Sequence, residues 1–382
     1  MQKVSKTNIG LFVKLIDNFG CVVFSPFSGL FFAIAQPYIN DVVAFCNNKT
    51  YNLPDHVVDN LSIGIKGYDK RFEIQHWLPK IESFSAQEVL PEDPLVVNWL
   101  ITNKCNFECK YCYASDVIDK KEFDPVEVKE VALKILYHEP VAVTLSGGEP
   151  LLEKQKLIDA ISELGNKTGI IVDTNGYIYD QEIVELFKRY NVVVRVSLDS
   201  LHNKINSCIR PAKNPILDKQ VLNVIMSNIQ EYLSNEIPVL VHTVVTSLNA
   251  SNLEDLYDKF SRFGVNGLRL FRVVTPNNEN QQSDFKEVML SKSITTLEKA
   301  QKNINDKLKS FLRDIKSNSR FSLQIVDSSS DSKNSVILVL PNGEFYTENM
   351  FGNSKIKIGN TNLFKKVDLK RHYMRYLGKL DN

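Results

Sequence analysis

The middle of the chain alternates short runs of apolar, β-branched residues with longer amphipathic segments. The short runs predict strands at Val96–Thr102, Val141–Leu145, Gly169–Asp173, Val192–Leu198, Val239–Val245 and Gly267–Val273. The segments between them have helical spacing and are Asp124–His138, Leu152–Gly165, Asp180–Tyr190, Asn214–Ser234 and Ser251–Phe263. Because parallel strands need helical crossovers, this alternation predicts a parallel sheet. Six strands are too few to close an eight-stranded barrel, so we predict an α/β fold built on a partial (β/α)6 TIM-like barrel.

The pattern changes toward both ends of the chain. Cys21–Ala35 is rich in Val, Phe and Leu around two turn signals and predicts a hairpin, and segments of helical spacing follow it. After the barrel comes a charged helical run, Asp284–Lys316, then β-like segments at Phe321–Ile325 and Ser335–Leu340, with a turn signal at Pro341-Asn342-Gly343. We therefore predict a small N-terminal α+β domain, the barrel and a C-terminal α+β extension, with bounds at 1–92, 93–280 and 281–382.

Composition and charge narrow the class of protein. The chain has 382 residues, of which 43% are hydrophobic and 24% charged, and its net charge is +1. Its apolar runs fall short of the roughly 20 residues that span a bilayer, so we expect a cytoplasmic protein without a membrane partner. The near-neutral charge disfavours a nucleic-acid partner. Because the segment Lys355–Asn382 is basic, a nucleic-acid partner is not excluded. A helical face exposed to solvent would account for these basic residues as well.

Three of the six cysteines stand within eight residues, directly after the first predicted strand. Cys105, Cys109 and Cys112 have C-x-x-x-C-x-x-C spacing, which lets one loop wrap its thiolates around a single iron–sulfur cube. Electron-transfer [4Fe–4S] clusters generally take four cysteines. Three would leave one iron open, as catalytic metal sites keep a vacant position, and an amino acid could chelate it. The alternatives are a zinc site, for which His138 and Cys208 are the nearest further ligands, and coincidence.

The cysteine loop also has an aromatic residue, Tyr111, before its third cysteine. In this it resembles the signature of the radical S-adenosylmethionine (SAM) superfamily. The next three predicted strands end on Ser146-Gly147-Gly148-Glu149-Pro150, Thr174-Asn175-Gly176 and Ser197-Leu198-Asp199-Ser200. These resemble the family's GGEP, TNG and SLDG elements in the same order, with Ser200 in place of the usual glycine.

The resemblance implies a [4Fe–4S] cluster and SAM as cofactors. In the family, the GGEP backbone and glutamate meet the SAM amino group, and Ser197 and Asp199 are candidates for its ribose or carboxylate. Arg210, in a stretch similar to the HD…R of relatives, is a candidate for the carboxylate. Plainer interpretations are turns for GGEP and TNG and a surface ion pair for Arg210. The implied cluster ligands are Cys105, Cys109 and Cys112, and the implied cofactor-binding residues are Tyr111, Gly147, Gly148, Glu149, Pro150, Asn175, Ser197, Asp199 and Arg210.

Both ends of the chain resemble parts of radical SAM peptide maturases. Val339–Tyr346 resembles the SPASM or twitch region, but no cysteine follows Cys208, which excludes auxiliary clusters built from the usual thiolates. The stretch from Ser25 to Leu53 resembles the small winged-helix-like domain that captures precursor peptides. An exposed strand edge there would bind a peptide by strand addition; a structural cap on the barrel is the alternative.

The resemblance implies reductive SAM cleavage to a 5′-deoxyadenosyl radical, which abstracts hydrogen from a residue in a peptide or protein. A flavodoxin- or ferredoxin-type electron donor is implied as well. Action on tRNA or a small metabolite, and a noncatalytic iron–sulfur sensor, stay open as alternatives. Candidates for substrate contact are His242, Arg269 and Arg272, although strand alternation places some of them outside the barrel.

Overall fold

The computed structural model describes most of the barrel and parts of both ends. It covers residues 4–6, 10–16, 20–35, 94–115, 117–118, 126–216, 219–272, 279–315, 321–326, 336–347 and 357–359. The helical segments expected after Ala35, most of the peptide-capture stretch and nearly all of the basic segment Lys355–Asn382 lie outside these residues. The three domain bounds therefore stay a prediction.

Strands of the central part form one large sheet. Its first six strands are β5 Val96–Thr102, β6 Ala142–Gly147, β7 Gly169–Thr174, β8 Val193–Ser197, β9 Val239–Val245 and β10 Gly267–Arg272. They pair in parallel in chain order and match the six predicted runs. The α/β class with a parallel partial barrel is thus confirmed.

The C-terminal region extends this sheet at both edges. It adds β11 Ser322–Val326, β12 Val336–Val339, β13 Phe345–Thr347 and β14 Lys357–Gly359. β11 lies parallel to β10, and β12 lies parallel to β5, so the described residues hold eight parallel strands rather than six. β13 and β14 continue beyond β12 as antiparallel strands. The β-like segments after Asp284–Lys316 therefore belong to the sheet of the barrel.

Helices cover one face of the sheet. They are α1 Val128–Tyr137, α2 Lys154–Leu164, α3 Gln181–Tyr190, α4 Asn203–Ile209, α5 Val221–Ser234, α6 Leu253–Phe263, α7 Glu279–Met289 and α8 Leu297–Asp314. Two predictions need correction. The segment predicted at Asn214–Ser234 becomes helical only at Val221, and the short α4 before it was not predicted. The run Asp284–Lys316 is two helices, because Thr296 accepts the Lys299 N–H and starts a new one. Among the described helices, none is both long and apolar enough to cross a membrane.

The two faces of the parallel strands differ in chemistry. On the helix-covered face, Trp99, Leu145 and Leu270 lie in a continuous apolar core with residues of α1, α2 and α3. On the other face, the same strands carry polar side chains toward the barrel lumen, beginning with Asn98 and Ser146, whose hydroxyl donates to the Asn98 amide oxygen at 2.7 Å. At this level the lumen is therefore lined by polar side chains, and the apolar core lies on the outer face of the strands.

The described N-terminal residues form a second, antiparallel sheet. Its strands, in order, are β1 Val4–Lys6, β2 Phe12–Ile16, β3 Gly20–Phe24 and β4 Phe31–Ala35, so the hairpin predicted in Cys21–Ala35 is β3 and β4. Phe12 and Phe24 pack on Ala142, Ile171 and Leu240, which lie toward the amino ends of the barrel strands. This sheet therefore packs as a cap on the end of the barrel opposite the predicted site.

Candidate cluster and cofactor site

The three cysteines lie in the loop that leaves the carboxyl end of β5. None forms a disulfide, and each is partly buried. Within the loop, the Phe107 N–H donates to the Cys105 sulfur at 3.4 Å, and the Cys112 N–H donates to the Cys109 carbonyl oxygen at 3.1 Å. Burial is the main cause that raises the pKa of Cys105 and Cys112, and the Cys109 sulfur lies near enough to both thiols to raise it further.

The segment after α4 holds this loop in place. The Glu108 N–H donates to the Pro211 carbonyl oxygen at 2.8 Å, and the Lys110 N–H donates to that of Ile209 at 3.0 Å. Phe107 is buried and forms an antiparallel bridge with Ala212. The segment that follows α4 is thereby held against the cysteine loop that follows β5.

The thiols fit a metal cluster rather than free cysteines. Burial raises the pKa of Cys105 and Cys112 to about 12, with the neighbouring thiols adding to the shift, so without a metal they stay protonated at neutral pH. A bound metal displaces such protons. In the part of the chain that the structure describes, no three His, Cys, Asp or Glu side chains could hold a single metal ion. Each thiolate of a cube-shaped cluster binds a different iron, so such a cluster does not need three side chains around one metal ion. His138 lies at the capped end, beside Lys14, which disfavours the zinc alternative.

The two glycines of the GGEP motif allow the end of β6 to lie directly on the backbone that enters the cysteine loop. A Cβ at Gly147 would lie 2.3 Å from the Thr102 carbonyl oxygen, and one at Gly148 would lie 2.0 Å from that of Lys104. Gly147 also has φ of +140°. The motif is therefore more than a tight turn, because its glycines set the position of the cysteine loop.

Glu149 is fully buried and joins the ends of two strands. One carboxylate oxygen accepts the Leu151 N–H at 3.1 Å and the Thr174 hydroxyl at 2.8 Å, and the other accepts the Asn175 N–H at 2.7 Å. Burial raises the pKa of Glu149 to about 7, against the lowering effect of these donors. Pro150 follows at the first position of a short 3-10 helix, Pro150–Leu152. Three donors leave the carboxylate room for about one more.

Asn175 connects the TNG element to the cysteine loop. Its amide nitrogen donates to the Asn106 amide oxygen at 2.7 Å, and its amide oxygen accepts the Tyr177 N–H at 3.0 Å. The element thus makes contacts that a plain Asn-Gly turn does not require. Asn106 was not predicted as a site residue, since a lone Asn between two cysteines carries no distinct signal.

Tyr111, Asp199 and Arg210 form a hydrogen-bonded triad beside the cysteines, in which Asp199 and Arg210 are buried. The Tyr111 hydroxyl donates to Asp199 Oδ2 at 2.6 Å and accepts from Arg210 Nη1 at 2.6 Å, and Nη1 lies 3.9 Å from the same Asp199 oxygen. Arg210 is buried, which rules out the surface ion pair considered from sequence. Its Nε is also buried, and among the described residues nothing accepts its hydrogen. A ligand oxygen would complete it.

Two asparagines that sequence reasoning missed hold Asp199 in place. The Asn206 amide oxygen accepts the Asp199 N–H at 3.1 Å, and the Asn249 amide nitrogen donates to the Asp199 carbonyl oxygen at 2.8 Å. The Val244 N–H donates to Asp199 Oδ1 at 2.8 Å. Ser197 precedes this group at the end of β8, paired in register with His242. Both asparagines are fully buried, which a single sequence does not indicate.

Polar side chains of five strands, β6 to β10, continue the site into the lumen. Arg195 binds Asp173 with Nε and Nη2, and its Nη2 donates to the Thr144 hydroxyl at 3.2 Å. Arg269 Nη1 lies 3.4 Å from His242 Nε2. Two of the three candidates for substrate contact thus face the lumen together. Arg272, the third candidate, lies two residues after Leu270 on the same strand. It therefore shares the face of Leu270, which is the helix-covered face and not the lumen.

A family model of the radical SAM superfamily matches residues 99–260. An S-adenosylmethionine-dependent nucleotide dehydratase from Psychrobacter lutiphocae is 28% identical over 197 residues, 47% of this chain and 65% of that protein. The sporulation killing factor maturation protein of Bacillus subtilis is 29% identical over 175 residues, 45% of this chain and 40% of the relative. The chain thus spans less than two thirds of the length of either relative.

The fold is similar to that of SuiB from Streptococcus suis, solved with S-adenosylmethionine and, separately, with the precursor peptide SuiA. For the first of these, the TM-score is 0.60 at 11% identity, over 97% of this chain and 88% of SuiB. Radical SAM proteins use a [4Fe–4S] cluster and SAM. The matched domain and the shared partial-barrel fold agree with the motifs at the ends of β5 to β8, and residues 99–260 of this chain form a radical SAM domain.

Proposed function

We propose that this chain is a radical SAM enzyme whose [4Fe–4S] cluster is bound by Cys105, Cys109 and Cys112. The observation that carries the proposal is the proximity of three partly buried thiols to one another and to an arginine with an unsatisfied Nε. Bound there, the cluster and SAM supply a 5′-deoxyadenosyl radical that abstracts a hydrogen atom from the substrate.

The chain's own residues orient the cofactors and exclude water. Tyr111 and Asp199 hold the Arg210 guanidinium beside the cysteines, and we propose that its Nε donates to the SAM carboxylate. Gly147 and Gly148 bring the end of β6 against the cluster loop. Glu149 fixes Asn175 and has capacity for the SAM amino group. Pro150 and Ser197 complete the cofactor-binding set at the ends of β6 and β8.

A residue in a peptide or protein is the proposed substrate. The name of the Bacillus subtilis relative is that of a maturation protein, SuiB was solved with a precursor peptide, and the C-terminal strands of this chain resemble the SPASM or twitch region. A small metabolite is the second candidate, favoured by the name of the Psychrobacter lutiphocae relative, a nucleotide dehydratase. The proposed electron donor is a flavodoxin or ferredoxin.

Anaerobic reconstitution tests the enzyme assignment. Wild-type protein is loaded with iron and sulfide, and 5′-deoxyadenosine is quantified after dithionite and SAM are added. The proposal expects about four irons per chain and product formation, both lost in Cys109→Ala. Cys208→Ala is the matched control, because Cys208 is exposed on α4, and it should behave as wild type. A Cys109→Ala protein that keeps its cluster would refute the ligand assignment.

A further inference from the structure

Among the described residues, the layer of the barrel lumen around β7 to β10 holds two arginines, Arg195 and Arg269, and one carboxylate, that of Asp173. Arg195 is neutralised by Asp173, which meets it with both carboxylate oxygens. Arg269, on β10, has no ion pair in the part of the chain that the structure describes, and its neighbours are His242 and the ring of Phe271, 5.2 Å from the guanidinium carbon. One positive charge of this layer is therefore uncompensated.

The surroundings of Arg269 make that charge costly. Its Nε is buried, and within the described residues no group accepts its hydrogen. Burial and the nearby Arg195 lower the pKa of Arg269 to about 9, against the raising effect of Asp173, so Arg269 stays protonated at neutral pH. His242 does not supply a counter-charge, since burial and both arginines hold its pKa well below the ordinary value. A buried cation without a partner destabilises the fold unless a ligand brings the opposite charge.

The geometry points to a ligand subsite: we propose that Arg269 binds a carboxylate of the substrate, such as an acidic side chain of the modified peptide, in the lumen beside His242. The proposal rests on the proposed function, because it assigns the substrate class of the same barrel. Guanidinium is suited to this ligand, since its fork presents parallel donors to two carboxylate oxygens.

SAM also carries a carboxylate, and position separates the two sources. Arg210, beside the cysteine loop and the end of β8, already offers an unsatisfied donor, its Nε, for the SAM carboxylate. Arg269 lies two strands further along the sheet, on β10, level with His242 in β9. The second donor is therefore assigned to the substrate.

Glutarate, which resembles a glutamate side chain, is the probe. Its binding to the cluster-loaded protein is measured with and without saturating SAM, by saturation-transfer NMR at constant ionic strength and pH 7. Saturable binding is expected, weakened at least about tenfold in Arg269→Gln, because a hydrogen-bonded charge pair is lost. Arg262→Gln, which removes an exposed arginine on α6, should bind as wild type. Equal binding in wild type and Arg269→Gln overturns the proposal, and so does binding that SAM abolishes, which would assign the site to the SAM carboxylate.

A second measurement needs no variant. Phenylglyoxal modifies arginines, and mass spectrometry of the wild-type protein follows Arg269 and Arg262 separately. Glutarate should slow modification of Arg269 at least about fivefold and leave Arg262 unchanged, whereas equal rates with and without glutarate overturn the subsite. Both readouts are independent of SAM cleavage, so absent 5′-deoxyadenosine alongside glutarate protection would count against the proposed function alone.

Discussion

The hydroxyl of Tyr111 lies 2.6 Å from Asp199 Oδ2, which joins the cysteine loop after β5 to the end of β8. The same hydroxyl accepts a hydrogen bond from Arg210 at 2.6 Å. One phenol oxygen thus bridges a buried carboxylate and a buried guanidinium, and each of them depends on it for a hydrogen bond. Tyr111, the aromatic residue before the third cysteine, therefore contributes hydrogen bonds through its hydroxyl as well as apolar packing through its ring.

Replacing Tyr111 with Phe removes that bridge while keeping the ring. We expect the free energy of unfolding to fall by about 2 kcal/mol, because two buried charged groups each lose a hydrogen bond. Iron content should stay near wild type, since the three cysteines are untouched, while the apparent SAM affinity should fall at least about fivefold as Arg210 loses its support. Urea titration and SAM binding to the loaded protein measure the two effects.

Tyr113→Phe is the control for this variant. Tyr113 is two residues further along and 54% exposed, so its loss of a hydroxyl should change stability by less than about 0.5 kcal/mol. If Tyr111→Phe matched this control in both stability and SAM affinity, the bridge would have no role in the site.

Gly148→Ala tests whether the GGEP glycines position the cysteine loop. The added methyl would stand 2.0 Å from the Lys104 carbonyl oxygen, next to Cys105, so the loop backbone must move. We expect about 3 kcal/mol of destabilisation and at least a halving of iron bound after reconstitution. Iron and sulfide assays measure the second effect. Wild-type iron content with unchanged stability would show that the loop is not held by this contact.

The cap of α3 provides a pH-dependent prediction away from the site. Asp180 accepts the Ile183 N–H at 3.1 Å, and its ion pair with Lys154, at 2.7 Å, is the main cause that lowers the pKa of Asp180. Asp180→Ala should reduce stability by about 1 kcal/mol at pH 7. Because the folded pKa lies below the unfolded one, this contribution is fully present at neutral pH and is lost as the pH falls below about 3.8.

Chemical denaturation at pH 7 and pH 3 checks this dependence. The difference in the free energy of unfolding between wild type and Asp180→Ala should be smaller at pH 3 than at pH 7. Asp180→Asn keeps the side-chain acceptor and loses the charge, so it should recover most of the capping contribution. A gap of equal size at both pH values would mean that the charge of Asp180 adds nothing.

The parts of the molecule that sequence reasoning found are those with local signals. The six central strands follow from apolar runs, and the three cysteines follow from their spacing. The start of the helix predicted at Asp180–Tyr190 follows from a local signal as well, because acidic residues are favoured in the first turn of a helix. Glu149 and Arg210 were found only through the order of motifs along the chain, since neither residue has a distinguishing neighbourhood of its own.

What sequence reasoning missed depends on contacts between distant segments. β11 and β12 were read as strands, but their addition to opposite edges of the barrel is set by pairing that no local pattern encodes. Asn206 and Asn249 have the composition of ordinary loop and helix residues, and their role follows only from where Asp199 lies. His242 and Arg269 were candidates for substrate contact, but only the strand register shows that they lie side by side in the lumen.

Lys14 links the N-terminal sheet to the barrel, and it is the residue by which the cap can be tested. The side chain is completely buried, and its Nζ donates to the carbonyl oxygens of Pro94 at 3.0 Å, His138 at 3.3 Å and Glu139 at 2.8 Å. These three carbonyls belong to the segments that precede β5 and β6. One ammonium group thus satisfies backbone acceptors at the amino ends of two adjacent barrel strands.

Lys14→Met keeps the length of the side chain and leaves those three carbonyl oxygens without their donor. We expect a loss of about 3 kcal/mol in the free energy of unfolding, because buried acceptors of a charged donor are left unpaired. Lys6→Met, at an exposed position of the same sheet, should cost less than about 1 kcal/mol. Urea titration compares the two variants. Iron content of folded Lys14→Met should equal that of wild type, because the cap lies at the opposite end of the barrel from the cysteines; a selective loss of iron would mean that the cap also shapes the site.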